Sequence, residues 1–158
     1  MSLQKFLRLP LAGGPGQADG VRSQYGALCY RIRDGKPEIL LVTSRGTGRW
    51  IVPKGWPIRD KTAAQTAATE AFEEAGVEGT VHPECIGLYS YLKVVDGSPP
   101  LPCVVSLHAL KVKRLLRKYP EQAQRTRKWY SRKKASALVD EPELQQIIRH
   151  FDPRTIKH

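Results

Sequence analysis

The stretch GWPIRDKTAAQTAATEAFEEAGV, residues Gly55 to Val77, decides how the rest of the chain is read. It predicts a helix from Thr62 to Ala75. Thr62 and Gln65 have the spacing of an N-terminal capping pair, alanines fill the interior, and Gly76 stands where a left-handed C-terminal residue belongs. On a helix turning about 100° per residue, Ala64, Ala67, Ala71 and Ala75 gather on a face suited to a core. Glu70, Glu73 and Glu74 fall within one narrow arc of the same helix.

Like charges at this spacing work against a helix by a few tenths of a kcal/mol per pair unless a cation sits among them. A hard divalent ion is the natural partner. Mg²⁺ and Mn²⁺ prefer carboxylate, carbonyl and water oxygens, and Mg²⁺ commonly takes one or two carboxylates while substrate phosphates complete its shell. The alternative is a solvated acidic face with no ion.

The stretch resembles the Nudix box, which reads Gly, five residues, Glu, seven residues, Arg-Glu, apolar, any, Glu-Glu, any, Gly, apolar. Gly55, Glu70, Glu73, Glu74 and Gly76 take family positions, with Ala71 and Val77 at the apolar ones. The preceding Arg49-Trp50-Ile51-Val52-Pro53-Lys54 is similar to the strand that leads into the box. Two positions depart: Lys61 replaces a Glu, and Thr69 replaces the Arg that in the family orients the carboxylates. The resemblance implies an α/β/α sandwich around a mixed sheet, with Mg²⁺ (or Mn²⁺) held by Glu70, Glu73, Glu74 and the Gly55 carbonyl. Glu73 or Glu74 would then act as the catalytic base.

The remainder of the chain is consistent with one domain. Its 158 residues are 41% hydrophobic, enough for a single core, and no apolar run is long enough to span a bilayer. Residues 1–21 read as a flexible arm without a secretory core, and 22–158 as the domain. Cys29, Cys85 and Cys103 are far apart in strand-like apolar stretches, which predicts buried, reduced thiols and a cytoplasmic setting. The four histidines form no zinc pattern.

Gln24 to Arg33 alternates as a strand, Asp34 to Pro37 as a turn, and Glu38 to Thr43 as the returning strand. The loop Ser44 to Arg49 is glycine-rich and basic and leads into a strand from Trp50 to Pro53. Its guanidinium and backbone N–H groups beside a metal site suit an anionic substrate, making Ser44, Arg45, Arg49 and Lys54 candidates for phosphate contact. Thr80 to Val95 predicts one long strand or a bent pair, with Lys93 near its end as a further candidate, and Cys103 to Val112 another strand. The last helix carries a packing stripe of Leu144, Ile147, Ile148 and Phe151, and Asp140 with Glu143 is expected to cap it.

The net charge of +11 is concentrated between Lys111 and Lys134, where eleven Lys or Arg face a single acid, Glu121. Such a block suits a polyphosphate, RNA or an anionic surface, or is a solvated mobile loop. Within it, Arg125-Thr126-Arg127-Lys128-Trp129 resembles the branch of the family that hydrolyses diphosphoinositol and diadenosine polyphosphates, as does Ser44-Arg45 ahead of Arg49-Trp50. Arg125 and Arg127 are thereby expected to meet distal phosphates, and Trp129 to serve as core or wall. The expected activity is Mg-dependent hydrolysis of a pyrophosphate bond in such a small molecule. The alternatives are a polyphosphate or RNA binder that keeps the fold without catalysis, and a pyrophosphohydrolase acting on RNA 5′ ends.

Overall fold

The computed structural model describes residues 20–156. The expected N-terminal arm lies, up to residue 19, outside the described residues.

The hairpin forms where the alternation places it. Strand β1 (Arg22–Arg33) turns through Asp34 and Gly35 into β2 (Lys36–Thr43). Both turn residues have positive φ, 53° and 78°, the backbone of a two-residue hairpin turn that matches strand twist. The turn is therefore shorter than Asp34 to Pro37, and Pro37 pairs with Ile32 in the ladder. Short strands β3 (Trp50–Ile51) and β4 (Lys54–Gly55) follow, then helix α1 (Ala63–Ala75). Val52 and Pro53 leave the expected strand to link the two, and the Pro53 carbonyl accepts from the Ala27 N–H.

Helix α1 ends as its sequence dictates. The Thr62 side chain accepts from the Gln65 N–H while Gln65 Oε1 accepts from the Thr62 N–H, and Gly76 adopts φ 65°. A bent pair follows, β5 (Val77–Val81) and β6 (Gly87–Lys93), and then β7 (Leu101–Leu115). Strand β8 (Arg127–Ser131) and helices α2 (Arg132–Leu138) and α3 (Pro142–Arg149) complete the element order, with a 3₁₀ turn at Pro153–Thr155.

All eight strands among the described residues join one mixed sheet. Its centre is the parallel pair β1 and β7, in register from Arg22 opposite Cys103 to Tyr30 opposite Lys111. The far side of β7 is shared by β6 along its first half and β5 along its second, both antiparallel. Strand β8 runs antiparallel along β2, from Glu38 opposite Ser131 to Val42 opposite Arg127. Strand β1 pairs with β2 near the hairpin but with β4 nearer its start, so the β3–β4 segment occupies the opening between them.

Helices cover both faces. Ala67, Ala71 and Ala75 of α1 pack on Ala27, Cys29, Leu40 and Val42. On the other face Ala135, Leu144 and Ile148 of α2 and α3 pack on Leu28, Tyr30, Leu41 and Leu107. This is the expected three-layer arrangement, and it buries β1 from Gln24 to Tyr30 on both faces, where alternation alone implied one.

Four expectations need correction. The basic block is no free loop, since it supplies the end of β7, all of β8 and the start of α2. Helix α2 stands between β8 and the last helix, where the sequence pattern predicts no helix. Asp140 does not cap α3: Glu141 is its N-cap residue and makes no side-chain capping bond, because the helix begins at Pro142, one residue later than the capping pair requires. Cys85 is exposed between β5 and β6, whereas Cys29 and Cys103 are buried, and all three thiols are free. Among the described residues no helix is long and apolar enough to cross a membrane.

Candidate active site

A cleft of about 400 Å³ opens between α1, the β3–β4 segment, β6 and the connection from β7 to β8. It is lined by Gly55, Glu70, Glu74, Arg45, Lys54, Lys93 and Arg125, seven of the residues singled out in the sequence.

Glu70 and Gly55 explain each other. The Glu70 carboxyl lies directly against the Gly55 backbone, where a methyl group would overlap it, so the glycine is needed to seat the acid. One turn on, Glu74 is nearly buried, and its Oε1 accepts from the Lys54 N–H at 3.4 Å. Burial pushes the Glu74 carboxyl up to about 8, against the opposing pull of Arg125 and Lys54 and with the help of Glu70 and Glu121. Glu70 is raised as well, by burial first, with a hydrogen bond from Glu74 opposing and Glu73 adding to the shift. Burial lowers the Lys54 ammonium, which sits 4.9 Å above the Tyr91 ring.

A buried Glu74 carboxyl that holds its proton near neutral pH, beside a Glu70 carboxyl that burial also raises, fits a hard cation, which would favour the charged form of both. The donor set is all oxygen, and the bare Gly55 backbone is what lets the Glu70 carboxyl occupy its place. Among the described residues no three acidic, His or Cys side chains already converge as a closed cage. Mg²⁺ uses few protein carboxylates and keeps waters and substrate oxygens, so an open pair suits it.

Four of the singled-out residues lie elsewhere. Glu73 is half-buried beside the cleft, and its carbonyl accepts from the Glu121 N–H. Ser44 closes its own loop, its Oγ accepting from the Arg49 N–H at 2.9 Å. Arg49 is paired with Asp140 at 3.2 Å and Glu141 at 3.7 Å, which ties the loop to the start of α3. Arg127 does not meet the cleft. Its guanidinium donates to the carbonyls of Ala75 and Leu116, each at 2.7 Å, and stacks on Tyr119. Trp129 is half-buried against the α1-side core with the Arg31 guanidinium 4.2 Å over its ring, a wall as expected.

The sequence reading missed Glu121, Gln24, Tyr91 and Trp56 as cleft residues. Glu121 accepts from Arg125 Nε at 2.7 Å and places a further carboxylate opposite α1. Its isolation among cations was the one available signal. Gln24 is buried and accepts from the Tyr91 hydroxyl at 2.6 Å, while Trp56 is 42% exposed at the rim.

The NUDIX domain profile matches residues 22–151. The chain belongs to the NUDIX family. Over 143 residues it is 33% identical to "Nudix hydrolase 16, mitochondrial" of Arabidopsis thaliana, covering 82% of this chain and 79% of the relative. A shorter match of 61 residues, 40% identical, is to "Diphosphoinositol polyphosphate phosphohydrolase 3-beta" of Bos taurus, covering 39% of this chain and 37% of that protein. Among solved structures, a C. elegans Ap4A hydrolase in a binary complex superposes with TM-score 0.61 at 26% identity, over 82% of this chain and 93% of the other. The MutT protein of Methanosarcina mazei Go1 shares the fold at TM-score 0.63 and 17% identity, over 89% of this chain and 99% of its own. Membership and these relatives make the chain a Nudix-type pyrophosphohydrolase acting on phosphoric anhydrides. Nudix hydrolases generally use divalent metals, and the acidic side of the cleft has the chemistry for one.

Proposed function

We propose that this NUDIX enzyme cleaves a pyrophosphate bond in a small polyphosphate, a diphosphoinositol polyphosphate or a diadenosine polyphosphate, with Mg²⁺ (or Mn²⁺) as the working ion. The observation that carries the reading is a cleft lined by both signs of charge: Glu70 and Glu74 beside the bare backbone of Gly55, together with Arg45, Lys54 and Lys93. Glu70, Glu74 and the Gly55 carbonyl are the residues that would hold the ion, with Glu73 alongside. A bound divalent ion supplies charge neutralisation at the phosphoryl oxygens and acidification of water.

The chain's own groups do the positioning. Lys54 and Lys93 lie within reach of an anion in the cleft, and Arg45 at its edge offers a guanidinium to a phosphate further along the substrate. Of the two glutamates considered for proton removal from the attacking water, Glu74 is the one that lines the cleft, so the base role falls to it. Phosphoryl transfer needs little covalent chemistry from protein, and positioning with electrostatic stabilisation accounts for most of the catalysis.

The test is chromatographic separation of the products formed from a panel of diphosphoinositol polyphosphate, diadenosine polyphosphate, 5′-triphosphorylated RNA and ADP-ribose, with Mg²⁺ or Mn²⁺. Metal-dependent turnover of one of the first two, lost in Glu74→Gln, is the expected result. Undiminished turnover by Glu74→Gln removes the role of Glu74, and a preference for the RNA moves the substrate class.

A further inference from the structure

Position 69 is where the resemblance to the Nudix box places a guanidinium that orients the glutamates, and here it holds a threonine. The Thr69 hydroxyl donates to the Gln65 carbonyl one turn back, at 3.0 Å, and is spent on the helix's own backbone. Helix α1 has no basic residue in its last turn either. The acids Glu70, Glu73 and Glu74 thus have no cation from their own helix.

One arrives from across the cleft. Arg125 lies on the connection between β7 and β8, and its side chain is 8% exposed. Each nitrogen of the guanidinium faces an acceptor: Nε donates to Glu121 at 2.7 Å, Nη1 donates to the Thr43 carbonyl at 3.0 Å, and Nη2 stands 3.6 Å from Glu74 Oε2. Glu74 is as deeply buried as its partner, at 8% side-chain exposure. A guanidinium held by two hydrogen bonds and facing a third acceptor as an ion pair has a fixed plane and little freedom to follow a substrate. A distal phosphate, the ligand expected for Arg125 from the sequence, would have to displace a carboxylate or a backbone carbonyl to reach it.

We propose that Arg125, braced by Glu121 on its own segment, is the positioning residue of the acidic helix, fixing Glu74 from the opposite wall in place of the arginine missing at Thr69. The inference rests on the metal-binding reading of the cleft. Without Arg125, crowded carboxylates repel one another and turn apart, and an incoming ion must first gather them.

The sign of one measurement decides it. Removing a positive charge beside a cation site, with no other change, tightens cation binding. Losing a device that holds the ligands in place weakens it. Mn²⁺ is titrated by electron paramagnetic resonance, without substrate, into the wild type, Arg125→Gln, Arg125→Lys and the double variant Thr69→Arg/Arg125→Gln, each checked for folding by near-UV circular dichroism. The expected outcome is about tenfold weaker Mn²⁺ binding in Arg125→Gln, with recovery in the double variant. Arg125→Lys keeps the charge without the three-way fork and is also expected to weaken binding, which keeps the idea testable if the glutamine variant does not fold. In turnover, kcat falls in Arg125→Gln while KM for the polyphosphate holds.

Unchanged or tighter Mn²⁺ binding in Arg125→Gln, or a double variant no better than the single one, overturns the positioning role and leaves the metal site intact. A rise in KM alone returns Arg125 to substrate contact. A wild type that takes up no Mn²⁺ overturns the metal reading itself, and this inference with it.

Discussion

The carboxyl group of Glu70 rests on Gly55, with the α-carbon of the glycine so close that any side chain there would occupy the same space. The contact joins strand β4, paired to β1 at Tyr25, to the third turn of α1. A residue at the sheet opening and one on the helix fifteen positions later are thereby held at one fixed separation.

Gly55→Ala is expected to push Glu70 out of the cleft. Overpacking costs about 1–3 kcal/mol in a closed site, and the open side of this cleft gives the acid somewhere to go, so stability should fall toward the lower end of that range. Mn²⁺ affinity should drop by about tenfold or more. Thermal melts and a metal titration on the same preparation separate the two effects, and an alanine variant with unaltered metal affinity would show that Glu70 holds no ion.

Arg127 makes the opposite kind of prediction. Its two charge-assisted hydrogen bonds reach the last carbonyl of α1, at Ala75, and the carbonyl of Leu116, and its stacking on Tyr119 closes the space over Gly76. Arg127→Ala should cost on the order of 3 kcal/mol, since bonds from a charged donor to partly buried acceptors are the stronger ones. KM of the folded fraction should not change. A large KM effect at unchanged melting temperature would place Arg127 on the substrate after all.

His108 gives a pH dependence that is independent of the cleft. It is buried on β7 with Nδ1 3.1 Å from the His82 carbonyl, and burial lowers its pKa below the ordinary 6.5. Between the folded value and about 6.5 the unfolded chain binds more protons than the folded one, so this group's contribution to stability rises with pH through that window and is complete above it. It is lost as pH falls. Glutamates with raised pKa slope the other way, so the useful quantity is the difference in melting temperature between wild type and His108→Gln. That difference should move in favour of the wild type from pH 5 to pH 7 and stay level above. A difference independent of pH would mean that His108 titrates as it does in the unfolded chain.

What could be read in advance follows the range of the forces involved. Helix α1, its two caps and the stripe on α3 are set by neighbours within a turn or two, and Thr62, Gln65 and Gly76 do in the structure what their spacing implies. Strand β8 is different. Arg127 and Lys128 stand before Trp129 and Tyr130, so no apolar alternation marks the strand, and it exists because β2 offers it an edge from Glu38 to Val42. Helix α2 buries little more than Ala135 and Ser136 and opens with three cations, too weak a pattern to stand out. In the cleft, Gly55 and the glutamates were legible as a motif. That Glu121 and Arg125 close on Glu74 depends on where the chain goes after β7, which no local pattern encodes.

The basic wall sorts in the same way, and the last prediction follows from how each cation is already employed. Arg45 is exposed at the cleft edge and gives one hydrogen bond, at 3.0 Å, to the neutral side chain of Gln124. Arg49, four residues on, is held by Asp140 and Glu141. A polyphosphate can draw Arg45 away from an amide at little cost, whereas recruiting Arg49 means breaking two ion pairs. Arg45→Ala is therefore expected to raise KM about fivefold at low salt, the equivalent of about 1 kcal/mol for an exposed charge, with kcat and melting temperature little changed. The effect should shrink as ionic strength rises and the screening length falls to about 8 Å near physiological salt. Arg49→Ala should leave KM nearly as it is and loosen the loop against α3 instead. Steady-state kinetics of both variants across a salt series checks the pair, and a larger KM effect from Arg49 than from Arg45 would reverse the assignment.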